Sequence, residues 1–138
     1  MQHKTIEKTL LINASPDTVW RVLTDPTLTK KMGGYYATDW KIGSDFGWKW
    51  NDGKTYTHGK ILQLEKNKLI QHNLFDAKYR SVVASVITYR LAYANGKTQL
   101  HGKEETSIAL DPEEYAEALA GWSEALQAVK EIAEGIEK

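Results

Sequence analysis

Apolar residues near the end of the chain recur at the spacing of an amphipathic α-helix. From Asp111 to Lys138 they follow a period close to 3.6 residues. Asp111 is a suitable N-cap, Pro112 suits the first helical position, and Glu114 can complete a capping box. The predicted helix is roughly 40 Å long, and its apolar stripe needs a sheet to pack against. The stripe consists of Tyr115, Ala118, Leu119, Trp122, Ala125, Leu126, Val129, Ile132, Ala133 and Ile136.

The chain before this helix begins with a strand and two short helices. Thr5–Ile12 has the apolar content of a strand. A helix is predicted to start at Pro16 and to end just before Pro26, because proline disfavours a helical conformation in the preceding residue. Thr27–Met32 predicts a second short helix, which Gly33 ends.

Two dipeptides predict hairpins in the segment that follows. Asp52-Gly53 and Asn95-Gly96 both favour the positive φ angles of tight primed turns. The predicted strands are Phe46–Asn51 and Lys54–Glu65 around the first turn, and Val82–Ala94 and Lys97–Ile108 around the second. Strand, helices, an antiparallel meander of about six strands and the closing helix together predict an α+β fold. No linker or repeat divides the sequence, so residues 1–138 are predicted to form one domain.

The turns also predict which side chains share a face of the sheet, because side chains alternate along a strand. A two-residue Asn95-Gly96 turn pairs Tyr89 with Gly102 and Ile87 with Glu104 on the inward face. Around Asp52-Gly53 the same reasoning places Trp48 and Trp50 on one face and Tyr56 on the other. If Lys66-Asn67 is also a two-residue turn, His72 lies on the side of Ile61.

Composition excludes several classes of function. The 138 residues include 18 basic and 18 acidic side chains, so no net positive charge favours a nucleic-acid partner. There is no cysteine, and the four histidines lack the spacing of a metal site, so neither a metal nor another cofactor is expected. No apolar run is long enough for a membrane span, and the polar start Met1-Gln2 is unlike a signal peptide. A cytoplasmic location is therefore expected.

Six residues are candidates for a binding site, and each has a structural alternative. Glu104 on the inward face could act as an acid/base or anchor a ligand, or it could be a structural carboxylate. His72 could be a polar group in a cavity or a hydrogen-bonded structural histidine. The aromatic side chains could line a pocket or fill the core. These are Trp48, Trp50, Tyr89 and Trp122.

The order of these elements resembles the heat-shock protein 90 ATPase activator homologue family, within the START-like helix-grip superfamily. Four sets of residues carry the resemblance: Ile12 to Trp20 followed by Leu23-Thr24-Asp25-Pro26, the strand Gly59-Lys60-Ile61-Leu62, the hairpin Asn95 to Leu100, and Gly121-Trp122-Ser123-Glu124-Ala125-Leu126 with Val129-Lys130 in the closing helix. The resemblance implies a curved antiparallel sheet of about seven strands wrapped around the C-terminal helix, with a mainly apolar cavity between them. The chain departs from the family pattern at Met32, at Ser44-Asp45 and at His72-Asn73, so the identity of a ligand does not transfer.

Three functions are compatible with the sequence. The leading hypothesis is a binder of a small, largely apolar or aromatic ligand, such as a lipid or a polyketide, without catalysis. The alternative is a cyclase- or hydrolase-type enzyme in which Glu104 is the acid/base, since such sites need neither a nucleophile nor a metal. The third is an interaction module that contacts a chaperone. The sequence leaves a homodimer open, because fold does not determine function or assembly.

Overall fold

A six-stranded antiparallel sheet forms one layer of the protein. The computed structural model describes residues 3–76, 78–79 and 81–137, and the polar start Met1-Gln2 lies outside them. The sheet contains β1, β3, β5, β6, β7 and β8 in the spatial order β1-β8-β7-β6-β5-β3. Their bounds are His3–Ile12, Asp45–Phe46, Gly59–Glu65, Leu69–Phe75, Val83–Ala94 and Lys97–Leu110. A separate two-stranded ribbon pairs β2, Gly34–Tyr36, with β4, Trp48–Trp50.

The two short helices after β1 lie in the predicted segments, although only the first part of the second one is α-helical. Helix α1, Pro16–Thr24, is capped by the side chain of Ser15, which accepts a hydrogen bond from the Thr18 amide. Helix α2, Pro26–Thr29, continues into a 3₁₀ turn, Lys30–Met32. Gly33 ends this turn at a φ of 99°, a left-handed conformation that glycine adopts without strain.

The long closing helix is α3, Pro112–Ile136. The predicted capping box is present, because Asp111 accepts from the Glu114 amide and Glu114 accepts from the Asp111 amide. The α+β helix-grip prediction is confirmed, with its strands divided between the large sheet and the ribbon. No helix in the described part of the chain is both long enough and apolar enough to cross a membrane.

The hairpin around Asn95-Gly96 has the predicted register. Both turn residues have positive φ, at 50° and 80°, as a type I′ turn requires. Tyr89 pairs with Gly102, and Ile87 pairs with Glu104. The pairing of Glu104 with Ile87, and so the face that they share, follows from this turn alone.

The predicted hairpin around Asp52-Gly53 is wrong in two respects. Lys49 pairs with Thr55, so the loop has three residues, and only Gly53 has a positive φ, of 89°. The segment before the turn also divides at Gly47 into β3 and β4, which join different sheets. The one-residue shift brings Tyr56 to the side of Trp50, with ring centroids 5.2 Å apart, instead of the opposite face.

The pairing of Ile61 with His72 is as predicted, for a reason that the sequence analysis missed. The turn at Lys66-Asn67 is one residue longer than assumed, since Glu65 pairs with Leu69. A register shift between Ile61 and Gln63 compensates for the extra residue.

The main core lies between the sheet, α1 and the C-terminal half of α3. Four residues of the predicted stripe are buried there, namely Trp122, Leu126, Val129 and Ala133. They meet residues from β1, α1 and β8, such as Ile6, Val22 and Leu100. Five others of the stripe are partly buried against this core, but Ala125 is exposed. The helix therefore does not fill all the space beside the sheet.

Candidate functional site

A cleft lies between the sheet and the middle of α3. It has two adjoining lobes, of about 690 and 680 Å³, which we call the aromatic lobe and the acidic lobe. Leu23, Met32, Tyr36, Phe46, Trp48, Trp50, His72 and Glu124 are among the residues that line only the aromatic lobe. His58, Asp76, Ser85, Glu104, Ala118 and Trp122 are among those that line only the acidic lobe. Tyr56, Thr57, Leu74, Ile87, Tyr89, Gly121 and Ala125 border both lobes.

The cleft is open along the side of α3. Gly121 and Ala125 border both lobes and are exposed to solvent. A Cβ atom at Gly121 would have no heavy atom within 4 Å, apart from the helix's own neighbouring backbone. The cleft is therefore open to solvent at these two residues.

His72 lies on the wall of the aromatic lobe. Its ring stacks on Phe46, with centroids 4.0 Å apart, and it is only 2% exposed. Nδ1 lies 3.0 Å from the carbonyl oxygen of Asn73. Burial lowers the pKa of His72 to about 4, although the bond to this carbonyl partly opposes the shift. The imidazole is therefore neutral at pH 7.

Two tyrosine hydroxyls meet beside His72. The hydroxyl oxygens of Tyr36 and Tyr89 are 3.3 Å apart. Burial raises the pKa of Tyr36, and the hydrogen bond to Tyr89 only partly offsets this. Burial, followed by the proximity of Tyr36 and Glu104, holds the pKa of Tyr89 well above 10. Both hydroxyls are therefore protonated at neutral pH and can donate as well as accept hydrogen bonds.

The tryptophans of β4 form the outer wall of the aromatic lobe. The rings of Trp48 and Trp50 are 5.8 Å apart at 84°, and Trp48 also meets Tyr36 edge-on at 4.9 Å. Gly34 permits this packing, since a Cβ there would stand 2.6 Å from Cε2 of Trp48. Trp48 Nε1 is buried with no hydrogen-bond partner among the described residues. Trp50 is 40% exposed, so it lies at the rim.

Glu104 and Trp122 form the boundary of the acidic lobe. Trp122 Nε1 donates a hydrogen bond to Glu104 Oε1 at 3.0 Å. The indole occupies the space left by the missing side chain of Gly102, because a Cβ there would collide with the six-membered ring. The space between Gly102 and Glu104 is thus filled by Trp122.

All six predicted site residues border the cleft, although this does not test their binding roles. Trp48, Trp50, His72 and Tyr89 line the aromatic lobe, and Tyr89, Glu104 and Trp122 line the acidic lobe. The sequence analysis did not name Tyr36 or Phe46 as site residues, and it pointed to Met32 only through the family resemblance. The available signal for Tyr36 was the pair of tyrosines directly after Gly33-Gly34.

The polar groups of the cleft are suited to binding. Within the described ranges, no cluster of three or more histidine and carboxylate side chains could hold a metal ion. His72, the tyrosine pair and Glu104 are isolated polar groups on a mainly apolar wall, the usual composition of a ligand site.

Comparison with known families gives the classification of the chain. The model for the Activator of Hsp90 ATPase homolog 1-like protein family matches residues 13–134. The chain belongs to this family. The match includes α1, every strand except β1, and most of α3. The residues that line the cleft therefore lie within the family domain. A comparison with curated proteins finds no match.

Solved structures share the fold of this family member at low sequence identity. ChR145 from Cytophaga hutchinsonii is 23% identical, with 98% of this chain and 97% of that chain covered and a TM-score of 0.77. The Aha1 dimer from Colwellia psychrerythraea is 19% identical, with coverages of 94% and 95% and a TM-score of 0.74. DynU16, a protein of the dynemicin biosynthetic locus, is 15% identical, with coverages of 95% and 47% and a TM-score of 0.79. At these identities the likeness concerns the fold.

Two of the positions at which the chain departs from the family pattern line the cleft. Met32 and His72 both line the aromatic lobe. The side chain of Asn73 turns to the backbone, where its Oδ1 accepts from the Lys60 amide at 2.8 Å. Ser44 binds Thr38 and the carbonyl of Lys41 in the loop before β3. Two of the departures thus change the wall that a ligand would touch.

Proposed function

We propose that this protein binds a small, largely apolar or aromatic molecule in the cleft between the sheet and α3. The observation that carries this proposal is an open cleft of about 690 Å³ whose wall includes aromatic side chains from three separate chain segments. Ligand sites in proteins commonly measure about 300–1,000 Å³ and combine apolar walls with a few polar groups. The proposal is also supported by the shared fold of DynU16, a protein encoded in a locus for the biosynthesis of a small molecule, dynemicin.

Substitution of Ala125 tests this function. Ala125 is exposed and borders both lobes, so a larger side chain there would enter the cleft without displacing the core. Ala125→Phe is expected to weaken binding of a polyketide-like aromatic ligand at least about tenfold. Ala120→Phe is the matched control, because Ala120 is also exposed on α3 but lines neither lobe.

The measurement is a titration of a library of aromatic polyketides and fatty acids, followed by amide NMR shifts and tryptophan fluorescence. Shifts at Trp48, Tyr89 and Gly121 that disappear in Ala125→Phe but persist in Ala120→Phe would support the proposal. No response from any compound, with both variants folded, would contradict it.

The second candidate function is an enzyme in which Glu104 is the acid/base. The observation that favours it is the position of this carboxylate on the wall of the acidic lobe, with one oxygen bound by Trp122 and the other without a partner among the described residues. Glu104→Gln keeps an acceptor for Trp122 and should abolish turnover while preserving the fold. Unchanged turnover would remove Glu104 from the mechanism.

The third hypothesis, contact with a chaperone, would be tested separately by a pull-down with the cognate chaperone.

A further inference from the structure

The hydrogen bond at Nδ1 of His72 determines whether the second ring nitrogen, Nε2, donates or accepts. A backbone carbonyl oxygen only accepts hydrogen bonds, so His72 Nδ1, 3.0 Å from the Asn73 oxygen, must carry the proton. In the neutral ring Nε2 then holds a lone pair and acts as an acceptor. No described residue donates to Nε2, and His72 lines the aromatic lobe. A ligand that satisfies this atom has to donate a hydrogen bond.

The tyrosine pair in the same lobe offers complementary chemistry. One hydroxyl of Tyr36 and Tyr89 donates to the other, which leaves one proton and spare lone pairs for a ligand. Both tyrosines line the aromatic lobe together with His72, and the Tyr89 ring centroid is 6.5 Å from that of His72. A hydroxyl group can donate to His72 and accept from a tyrosine at once, whereas a ketone or an ether can only accept.

The charge of the cleft acts against anions. Asp76 and Glu104 line the acidic lobe and Glu124 lines the aromatic lobe, while no lysine or arginine is among the described lining residues. An anionic ligand would lose its hydration in a mainly apolar cleft and meet carboxylates without a counterion. Fatty acids and other carboxylates are therefore poor candidates.

We propose that the cleft selects uncharged ligands that present a hydroxyl to His72, in preference to carboxylates and to analogues without a donor. This inference rests on the proposed function, because it specifies which members of the ligand class are bound. It follows from the donor at Nδ1 of His72, the hydroxyl pair of Tyr36 and Tyr89, and the carboxylates around the cleft.

Three probes on one aromatic skeleton test the inference by calorimetry on the whole chain at neutral pH. 2-Naphthol carries the donor, 2-methoxynaphthalene lacks it, and 2-naphthoate is an anion. We expect 2-naphthol to bind at least about tenfold more tightly than either analogue, the difference expected for one buried acceptor left unpaired. In His72→Phe, which keeps an aromatic ring against Phe46, 2-naphthol should bind no better than 2-methoxynaphthalene. His101→Phe is the matched control on the outer face of the sheet, where His101 contacts Thr9.

The outcomes separate the inference from the function on which it rests. Equal affinity for the three probes, or tighter binding of 2-naphthoate, would overturn the inference and leave small-molecule binding supported. Failure of all three to bind would count against the proposed function and overturn the inference with it. If His72→Phe does not fold, the ¹⁵N shifts of His72 in the unaltered protein test the inference instead. A protonated Nε2, or an Nε2 resonance that does not move in saturating 2-naphthol, would also overturn the inference.

Discussion

Acidification below pH 6.5 should destabilise the protein through His72. Burial lowers the pKa of this side chain from 6.5 to about 4, because the charged form would lose its hydration among Phe46, Tyr89 and their neighbours. Between pH 6.5 and about 4, His72 is therefore protonated in the unfolded chain but neutral in the folded chain. The stability contributed by the neutral imidazole is fully present above pH 6.5, and it is lost as the pH falls from 6.5 towards 4.

The size of the effect follows from the two pKa values. The whole difference corresponds to roughly 3 kcal/mol, and acidification from pH 7 to pH 5 should remove about 2 kcal/mol of the free energy of unfolding. This is a large fraction of the total stability of an ordinary domain, about 5–15 kcal/mol.

Urea denaturation followed by tryptophan fluorescence across this pH range measures the effect. His72→Phe is expected to have a flatter pH profile than the unaltered protein, whatever its stability at pH 7. His58→Phe replaces an exposed histidine and leaves His72 in place, so it should retain the loss. Parallel profiles for the protein and for His72→Phe, or an NMR titration of His72 near pH 6.5 in the folded state, would refute the reasoning.

Three further predictions concern glycines and the end of α3. Gly102→Ala should lower the free energy of unfolding by about 1–3 kcal/mol in urea melts, because the new Cβ collides with the Trp122 indole; unchanged stability would show that the indole can move aside. Gly121→Ala and Gly135→Ala should each raise the free energy of unfolding by up to about 1 kcal/mol, since both glycines are helical with open space around them. Only Gly121→Ala narrows the cleft, so only this variant should weaken ligand binding in the calorimetric assay. A hydrogen bond from Thr18, the largest cause, and bonds from the backbone and side chain of Ser15 lower the pKa of Glu137. The stability that this carboxylate contributes is therefore present above pH 4.5 and is lost as the pH falls through the lowered pKa. Glu137→Gln should be less stable than the unaltered protein at pH 7, by a difference that closes in acid; a difference that widens in acid would contradict this.

Local rules account for the parts of the fold that could be predicted. Asn95-Gly96 adopts positive φ at both residues and so determines which residues of β7 and β8 face α3. The Asp111 capping box likewise determines where α3 begins. Tyr89 and Glu104 border the cleft as predicted because side-chain alternation on either side of this turn depends on local geometry.

The remaining features depend on contacts between distant segments. Asp52-Gly53 also favours a tight turn, yet the strand before it pairs with β2, which lies well before it in the chain. The division at Gly47 depends on the close approach of Thr57, whose carbonyl would collide with a Cβ there. Tyr36 and Met32 reach the cleft because the segment after α2 crosses it, and no local periodicity reports that crossing. The contribution of Tyr36 to the aromatic lobe was therefore not predictable from local pattern.

The cleft exists partly because α3 carries a row of small residues beside its apolar stripe. The large buried residues Trp122, Leu126 and Val129 face the core, whereas a second set of positions at helical spacing carries only small residues. These are Ala118, Gly121, Ala125 and Ala128, and each of them lines a lobe of the cleft. Larger apolar side chains there would bury more surface, and each added CH₂ group is worth about 0.8 kcal/mol when fully buried. A helix that served only to complete the core would gain from them, so the small residues keep the cleft open, which supports the proposed binding of a ligand.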